Sequence, residues 1–310
     1  MKKVLPVALI LSVAVLMSGC ANPDDEVAPT EGSDDAVAAA PTGIEPDFEI
    51  DEELAALVPG SYQGGSVQVA VNPDVPPVKF VDEDGNITGL TVQLVTAASQ
   101  MLGLEAEMVQ SSFDGLIPGL TGDRYDMILS IGAFKERQEL VDFIDYMTQS
   151  STITIKTGSD FADLTPQTLC GQRVAFMTGT QEDGLIETEN QACIDRGEDE
   201  ISAFPYGESA AAYLALASGQ TDAVWGDSTP AYYNARVNPS TYEIVHADFV
   251  GPYGIAFRKD EEGQQLREAF HQALQKLVED GWYDELFTEW GMEEQELPEL
   301  PINSGPSING

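Results

Sequence analysis

Cys20 is a reactive side chain, and the residues that precede it indicate its chemistry. It ends the segment Met17-Ser18-Gly19-Cys20, which follows two lysines at positions 2 and 3 and an apolar run over residues 4–17. That run is too short to span a hydrocarbon core of about 30 Å comfortably, but it suits a signal peptide. Small residues before a cysteine are typical of bacterial lipoprotein signals, in which the cysteine receives the lipid. We expect residues 1–20 to be such a signal; the alternative is an ordinary secretory signal with an incidental cysteine.

Cys170 and Cys193 are the two remaining cysteines. An even pair in an exported chain predicts a disulfide, which would close a loop of about two dozen residues and contribute roughly 3 kcal/mol. The alternative is that the two cysteines remain separate thiols or form half of a metal site. The two histidines, His246 and His271, stand in unrelated contexts, so we expect no zinc site and no cofactor.

The formal net charge of the chain is −39, and its acidic residues are spread along its whole length. Such a surface repels phosphate backbones, which argues against a nucleic-acid partner. The simplest interpretation is solubility in a saline or extracytoplasmic setting. A hydrophobic content of 43% is ample for packed cores.

The elements that would position a site begin after residues 21–58, a polar stretch that we interpret as a disordered stalk. Residues 51–58 of that stretch are the part that could form a short helix docking on the body. Strand and helix patterns then alternate, with strands over 67–71, 105–109 and 126–129 in the first half and 173–177 and 223–225 in the second. This alternation predicts βαβ units with parallel strands.

The order of several short motifs carries a family resemblance. The chain resembles the extracytoplasmic solute-binding proteins of ABC importers that bind polar amino acids and related solutes (solute-binding protein family 3). The matching stretches are Gly89-Leu90-Thr91, Phe113-Asp114-Gly115-Leu116-Ile117-Pro118, Tyr125-Asp126-Met127-Ile128, Lys135-Glu136-Arg137, Gly179-Thr180-Gln181, Trp225-Gly226-Asp227 and Tyr253-Gly254-Ile255-Ala256-Phe257.

The resemblance implies a fold of class α/β, the two-lobed periplasmic-binding-protein-like (type II) fold with a ligand cleft and two crossover hinge strands. Lobe one would comprise residues 59–153 plus 254–297, and lobe two residues 154–253. Residues 298–310 would form a C-terminal tail. The crossovers would fall near 152–156 and 250–254. Ligands of open α/β sheets bind beyond the carboxyl ends of strands, which agrees with this arrangement.

The resemblance also implies the ligand contacts. Arg137 would grip a ligand carboxylate, since a guanidinium donates two parallel hydrogen bonds, and Asp227 would receive the ligand ammonium. The alternative for Arg137 is an ordinary surface arginine, and the alternative for Asp227 is a helix N-cap. The further implied contacts are the Thr180 and Gln181 turn, the Phe113 wall, Asn72, and the loop carbonyls of Ser130 and Gly132.

Two departures from the family pattern favour a less polar pocket. Ala133-Phe134 runs directly to Lys135 where the family usually presents hydroxyl groups, and Val75 replaces a stacking aromatic residue. A zwitterion with an apolar, cyclic or methylated portion is therefore our hypothesis for the ligand.

The resemblance implies a monomeric substrate-binding lipoprotein without catalytic activity, held by lipidated Cys20 on the outer face of the cytoplasmic membrane. It would deliver an amino acid or related zwitterionic solute to a membrane permease. Two rival interpretations remain open. One is an enzyme on the same fold, an exported dehydratase, with Glu182 or Asp183 as its acid. The other is a sensory module that presents the ligand to a receptor.

Overall fold

The protein is described by a computed structural model over residues 43–307. Cys20, the signal sequence and the first part of the expected stalk lie outside the described residues. In the described range the strands are β1 (Ser66–Val71), β2 (Asp74–Val75), β3 (Lys79–Val81), β4 (Ile87–Thr88), β5 (Glu105–Gln110), β6 (Met127–Gly132), β7 (Asp142–Lys156), β8 (Arg173–Met177), β9 (Ser202–Tyr206), β10 (Ala223–Asp227) and β11 (Tyr242–Phe257). The α-helices are α1 (Glu52–Ala55), α2 (Leu90–Met101), α3 (Leu116–Thr121), α4 (Lys135–Gln138), α5 (Glu182–Arg196), α6 (Ser209–Ala217), α7 (Ser228–Val237), α8 (Glu261–Glu279) and α9 (Trp282–Trp290).

The large sheet has the strand order β5-β1-β6-β11-β7-β10-β8-β9. Its two ends are parallel, as the strand–helix alternation predicts: β1 pairs with β5 and β6, and β8 pairs with β9 and β10. The strands β7 and β11 run antiparallel to each other and to their outer neighbours. The strands β2, β3 and β4 form a second, smaller sheet in that order.

Two sets of buried apolar side chains divide the body into lobes. Lobe one buries residues such as Leu94, Phe270 and Trp290, and lobe two buries residues such as Ile153 and Trp225. Each fully buried large apolar side chain contributes about 1.5–3 kcal/mol relative to its exposed state. The fold has two α/β lobes, as the family resemblance implies.

The long strands β7 and β11 carry the chain between the lobes. Residues 151–155 of β7 pair with β10 of lobe two. The register of β11 shifts between Phe249 and Gly251 and again between Tyr253 and Gly254, which brackets the second predicted crossover.

The segment before the first strand corrects the expectation that disorder extends to residue 58. The backbone N–H groups of Ile44 and Phe48 donate to the Gln93 and Gln100 side chains of α2, at 3.2 and 3.0 Å. The Phe48 ring packs edge-on against Trp282 at a centroid distance of 5.3 Å. The apolar residues of this segment are too widely spaced to show a period, yet Ile44 and Phe48 pack against the lobe-one core. The predicted helix within 51–58 is present as α1.

The C-terminal tail packs against the hinge strand β7. Leu300 is fully buried, and Ile302 forms a β-bridge with Ile144. Both the backbone N–H and the hydroxyl of Ser304 donate to the Asp145 carboxylate at 2.7 Å. The tail is thus an integral layer of lobe one.

Cys170 and Cys193 form a disulfide with a sulfur–sulfur distance of 2.03 Å, as their pairing in the sequence predicts. The bond ties α5 to the segment before β8 in lobe two.

Among residues 43–307, no helix has the length and apolar character needed to cross a bilayer.

Candidate functional site

A cavity between the two lobes collects most of the predicted ligand contacts. Its walls include Phe113, Ser130, Gly132 and Arg137 from lobe one, and Thr180, Gln181 and Asp227 from lobe two. Arg137 follows the carboxyl end of β6, Thr180 and Gln181 follow that of β8, and Asp227 ends β10. Strand ends on opposite sides of the hinge therefore face one another, as the open α/β topology requires.

Arg137 reaches across the cavity from α4. Its Nη1 donates to the carbonyl of Gly132 at 2.9 Å, and its Nη2 donates to the carbonyl of Gly179 in lobe two at 3.1 Å. Its guanidinium lies over the rings of Phe113 and Phe134, at 5.3 and 5.5 Å from their centroids. These ring faces favour a cation, so they hold the planar donor group in the cavity.

Asp227 lies at the N-cap position of α7, but its side chain makes no capping hydrogen bond there. Instead its Oδ2 accepts a hydrogen bond from the Tyr253 hydroxyl at 2.7 Å. Burial raises the pKa of Asp227, and the charges of Arg137 and Lys79 oppose that rise. Asp227 is thus the N-cap residue by position, but its carboxylate is engaged by Tyr253 and the residue lines the cavity.

The turn after β8 is built around Gly179, which has a left-handed φ of 79° and lies against the Phe113 ring. The Gly179 N–H donates to the Asp183 carboxylate at 2.6 Å, and the Thr180 hydroxyl donates to the carbonyl of Met177 at 2.7 Å. Asp183 therefore caps the turn rather than facing the cavity.

Glu182 is fully buried; it does not line the cavity that holds Arg137, but it lines an adjoining cavity with Thr180 and Asp227. It accepts a hydrogen bond from the Ser151 hydroxyl at 2.9 Å, and the Trp225 indole donates to the same hydroxyl at 2.8 Å. Burial, followed by the charge of Asp227, raises the pKa of Glu182 to about 7. Its carboxyl therefore stays protonated in mildly acidic solution.

Lys79 is the charged residue among the lining residues that sequence reasoning missed. The residue is 2% exposed and lines the cavity, and its ammonium donates to the carbonyls of Ser130 at 2.6 Å and Leu129 at 3.3 Å. Burial lowers the pKa of Lys79 to about 8, although the nearby charges of Asp74 and Asp227 oppose that fall. No residue-type signal marks it, because a lysine in a hairpin is normally exposed.

Phe134, Gln149, Met177 and Tyr253 also line the cavity. Together with the Lys79 ammonium, the Gln149 amide and Tyr253 hydroxyl make the pocket more polar than its sequence departures predicted. Burial, followed by the charge of Asp227, raises the pKa of Tyr253, so its hydroxyl stays a donor.

Asn72 is the predicted contact that the cavity does not include. Its side chain is buried at the end of β1, and within the described residues its Oδ1 has no hydrogen-bond partner. A role for Asn72 in binding stays a prediction.

Comparison with known proteins assigns the chain to a family. The model of the bacterial extracellular solute-binding proteins, family 3, matches residues 67–293. The chain belongs to this family. The match includes every residue that lines the cavity, whereas the segment before β1 and the C-terminal tail lie outside it.

Two curated members of the family are similar over most of the chain. The arginine-binding protein ArgT of Corynebacterium glutamicum is 30% identical over 262 residues, which cover 82% of this chain and 84% of the relative. The ABC transporter arginine-binding protein 1 of Escherichia coli is 25% identical and covers 76% of this chain and 95% of the relative.

Solved structures agree in fold. An ancestral arginine-binding protein bound to arginine has a TM-score of 0.64 and 30% identity, covering 74% of this chain and 99% of the other. An ancestral amino acid-binding protein described as a precursor of cyclohexadienyl dehydratase has a TM-score of 0.62 and 28% identity, covering 73% of this chain and 95% of the other. The chain thus has the fold of amino acid-binding proteins.

Proposed function

We propose that this family member binds an amino acid or a related small zwitterionic solute in the cleft and delivers it to an ABC permease. The observation that carries this proposal is that Arg137 and Asp227 line one cavity from opposite lobes. A guanidinium fork matches a carboxylate, and a carboxylate matches an ammonium group. A zwitterion would therefore bridge the lobes.

Hinge closure would couple this binding to a change of shape. With the lobes together, water leaves the cleft and both charged contacts strengthen as the local dielectric falls. The ligand stabilises the closed form only by its greater affinity for that form. The Phe113 ring would pack against the solute, and the turn at Thr180 and Gln181 would border its carboxylate.

Lipidated Cys20 would tether the protein to the outer face of the cytoplasmic membrane, with the following residues as a spacer. In cells producing the full chain, a radiolabelled fatty acid should be incorporated into the wild-type protein and not into Cys20→Ser. Labelling of both proteins would show that Cys20 is not the acceptor.

Binding by Arg137 is tested by titrating a panel of L-amino acids and betaines into the purified protein, first by thermal shift and then by calorimetry. We expect a ligand that raises the melting temperature with concentration, and a loss of at least a hundredfold in affinity in Arg137→Ala. Arg124→Ala, which alters an exposed arginine of lobe one, should bind as the wild type does. Unchanged affinity in Arg137→Ala would refute the carboxylate assignment.

An enzyme is the second candidate, because Glu182 is a buried acid of raised pKa next to the cleft and one structural neighbour is described as a dehydratase precursor. We favour binding without turnover, since Glu182 does not line the cavity that holds Arg137 and its carboxyl is engaged by the Ser151 hydroxyl. Incubation of any bound compound with the protein, followed by mass spectrometry, should return it unchanged. Product formation that Glu182→Gln abolishes would establish the enzyme.

The sensory role differs from transport in the partner alone. Uptake of labelled ligand by cells should depend on this protein if it serves a permease. We expect a monomer, which sedimentation with and without ligand would check.

A further inference from the structure

Lys79 places a second cation in the ligand cavity beside Arg137. Its Nζ donates to two backbone carbonyls, and within the described residues no carboxylate forms an ion pair with it. Because an ammonium has three N–H donors, one donor remains for an acceptor in the cavity. Burying an ammonium costs several kcal/mol, so its place in the wall calls for a partner.

The Ser130 carbonyl is already engaged by this lysine, at 2.6 Å. Ser130 is one of the groups that the sequence predicts to receive a ligand ammonium. A ligand with one positive charge still has the Asp227 carboxylate as its partner. A ligand with two positive charges finds no second carboxylate on the cavity wall, and it meets Lys79 and Arg137 instead.

The remaining acidic groups near the site add no carboxylate to the wall of this cavity. The Asp74 carboxylate, one of the two that act on the charge of Lys79, accepts a hydrogen bond from the backbone N–H of Ser209 at 2.6 Å. Glu182 accepts a hydrogen bond from Ser151 and lines an adjoining cavity that shares Asp227 and Thr180 with this one. Neither carboxyl lines the cavity shared by Arg137 and Asp227.

We propose that Lys79 is a specificity-determining residue that selects amino acids whose side chain presents an acceptor, a carboxylate or an amide carbonyl, and rejects those with a cationic side chain. This inference rests on the proposed function, in which Arg137 and Asp227 hold the α-carboxylate and α-ammonium. It sets the cleft apart from relatives described as arginine-binding proteins. The second acceptor of the solute then completes the hydrogen bonding of the Lys79 ammonium.

The test compares the calorimetric affinities of L-glutamate, L-glutamine and L-arginine in the wild type, Lys79→Met and Lys79→Glu. We expect the wild type to bind glutamate or glutamine at least thirtyfold more tightly than arginine. Lys79→Met should reduce that preference at least tenfold, and Lys79→Glu should favour arginine. Lys156→Met, which alters an exposed lysine at the end of β7, should keep the wild-type preference.

A pH titration of the wild type and of Lys79→Met gives a second measurement. Asp74, Asp227 and Arg137 are the charged groups acting on Lys79, and its pKa of about 8 means that it loses its proton on going from pH 7 to 9. Glu182, whose pKa is raised to about 7, also loses its proton near this range, and it does so in both proteins. The ratio of glutamate to arginine affinity should therefore fall at least fivefold further in the wild type than in Lys79→Met. Because both ligands share the α-amino group, the ratio cancels its titration.

The outcomes separate this inference from the proposed function. If arginine binds within threefold of glutamate and glutamine in the wild type, or if the ratio is the same in Lys79→Met, the role of Lys79 is wrong while amino acid binding stands. If no amino acid binds the wild type, the proposed function itself is overturned, and this inference with it.

Discussion

The Asp74 carboxylate of lobe one accepts a hydrogen bond from the backbone N–H of Ser209 in lobe two, with an oxygen–nitrogen distance of 2.6 Å. Ser209 is the first residue of α6, where unpaired N–H groups and the helix dipole favour a negative charge. Together with the Arg137 to Gly179 contact, this bond joins the lobes across the cleft. It stabilises the closed arrangement without lining the cavity.

Replacing Asp74 by alanine should therefore weaken ligand binding without touching the ligand. A hydrogen bond to a charged group contributes about 1.5–3 kcal/mol, so we expect the dissociation constant to rise roughly ten- to a hundredfold. Calorimetry with the ligand found in the panel gives the measurement. Asp84→Ala, at an exposed position of the next turn, is the matched control. Equal affinities in the two variants would show that the hydrogen bond between Asp74 and Ser209 does not contribute to ligand binding.

Glu182 should make stability depend on pH. Its pKa is raised from 4.5 to about 7 in the folded protein, so folding takes up a proton between those values. The free energy of unfolding should then fall as pH rises through this window, by roughly 1–3 kcal/mol, and this contribution should be constant above it. Urea unfolding at pH 5 and pH 8 measures the change.

The matched variants Glu182→Gln and Glu187→Gln isolate that effect. Glutamine cannot lose a proton, so Glu182→Gln should lack this part of the pH dependence and gain stability relative to the wild type at pH 8. Glu187 lies exposed on the same helix, and its variant should follow the wild type. The assignment fails if the two variants show the same dependence.

Deleting residues 298–310 should destabilise lobe one. The deletion removes the fully buried Leu300 and both hydrogen bonds from Ser304 to the buried Asp145 carboxylate. Loss of a buried leucine and of those bonds should cost about 2–5 kcal/mol. Thermal unfolding of the deleted protein, against a control lacking only 308–310, is the measurement. A melting temperature equal to that of the control would mean that the tail contributes no stability.

Removing the disulfide should lower stability while leaving the cleft intact. The Cys170→Ser/Cys193→Ser variant frees a loop with a sequence separation of 23 residues, and the chain-entropy relation gives about 3 kcal/mol. Ligand affinity well below the melting temperature should stay within twofold of the wild type, because neither cysteine lines the cavity. A large loss of affinity would reveal a coupling between α5 and the site.

Particular elements show how far sequence reasoning reaches. The βαβ units and the turn at Gly179 follow from local patterns, whereas the grouping of Arg137 with Asp227 was implied by the family resemblance. The segment around Phe48 could not be found in this way. Its apolar side chains have no period of their own, and their partners, such as Trp282, lie far away in the chain.

The alternating strands and helices and the paired cysteines could be read from residue type and local order, and the family resemblance added the two lobes and the charges expected at the cleft. The burial of Lys79 against the Ser130 carbonyl and the contact of Asp74 with Ser209 became visible in the folded chain alone. A lysine and an aspartate in a hairpin are ordinarily solvated. Their burial depends on contacts with residues that lie 51 and 135 positions further along the chain, and local propensity carries no record of such contacts.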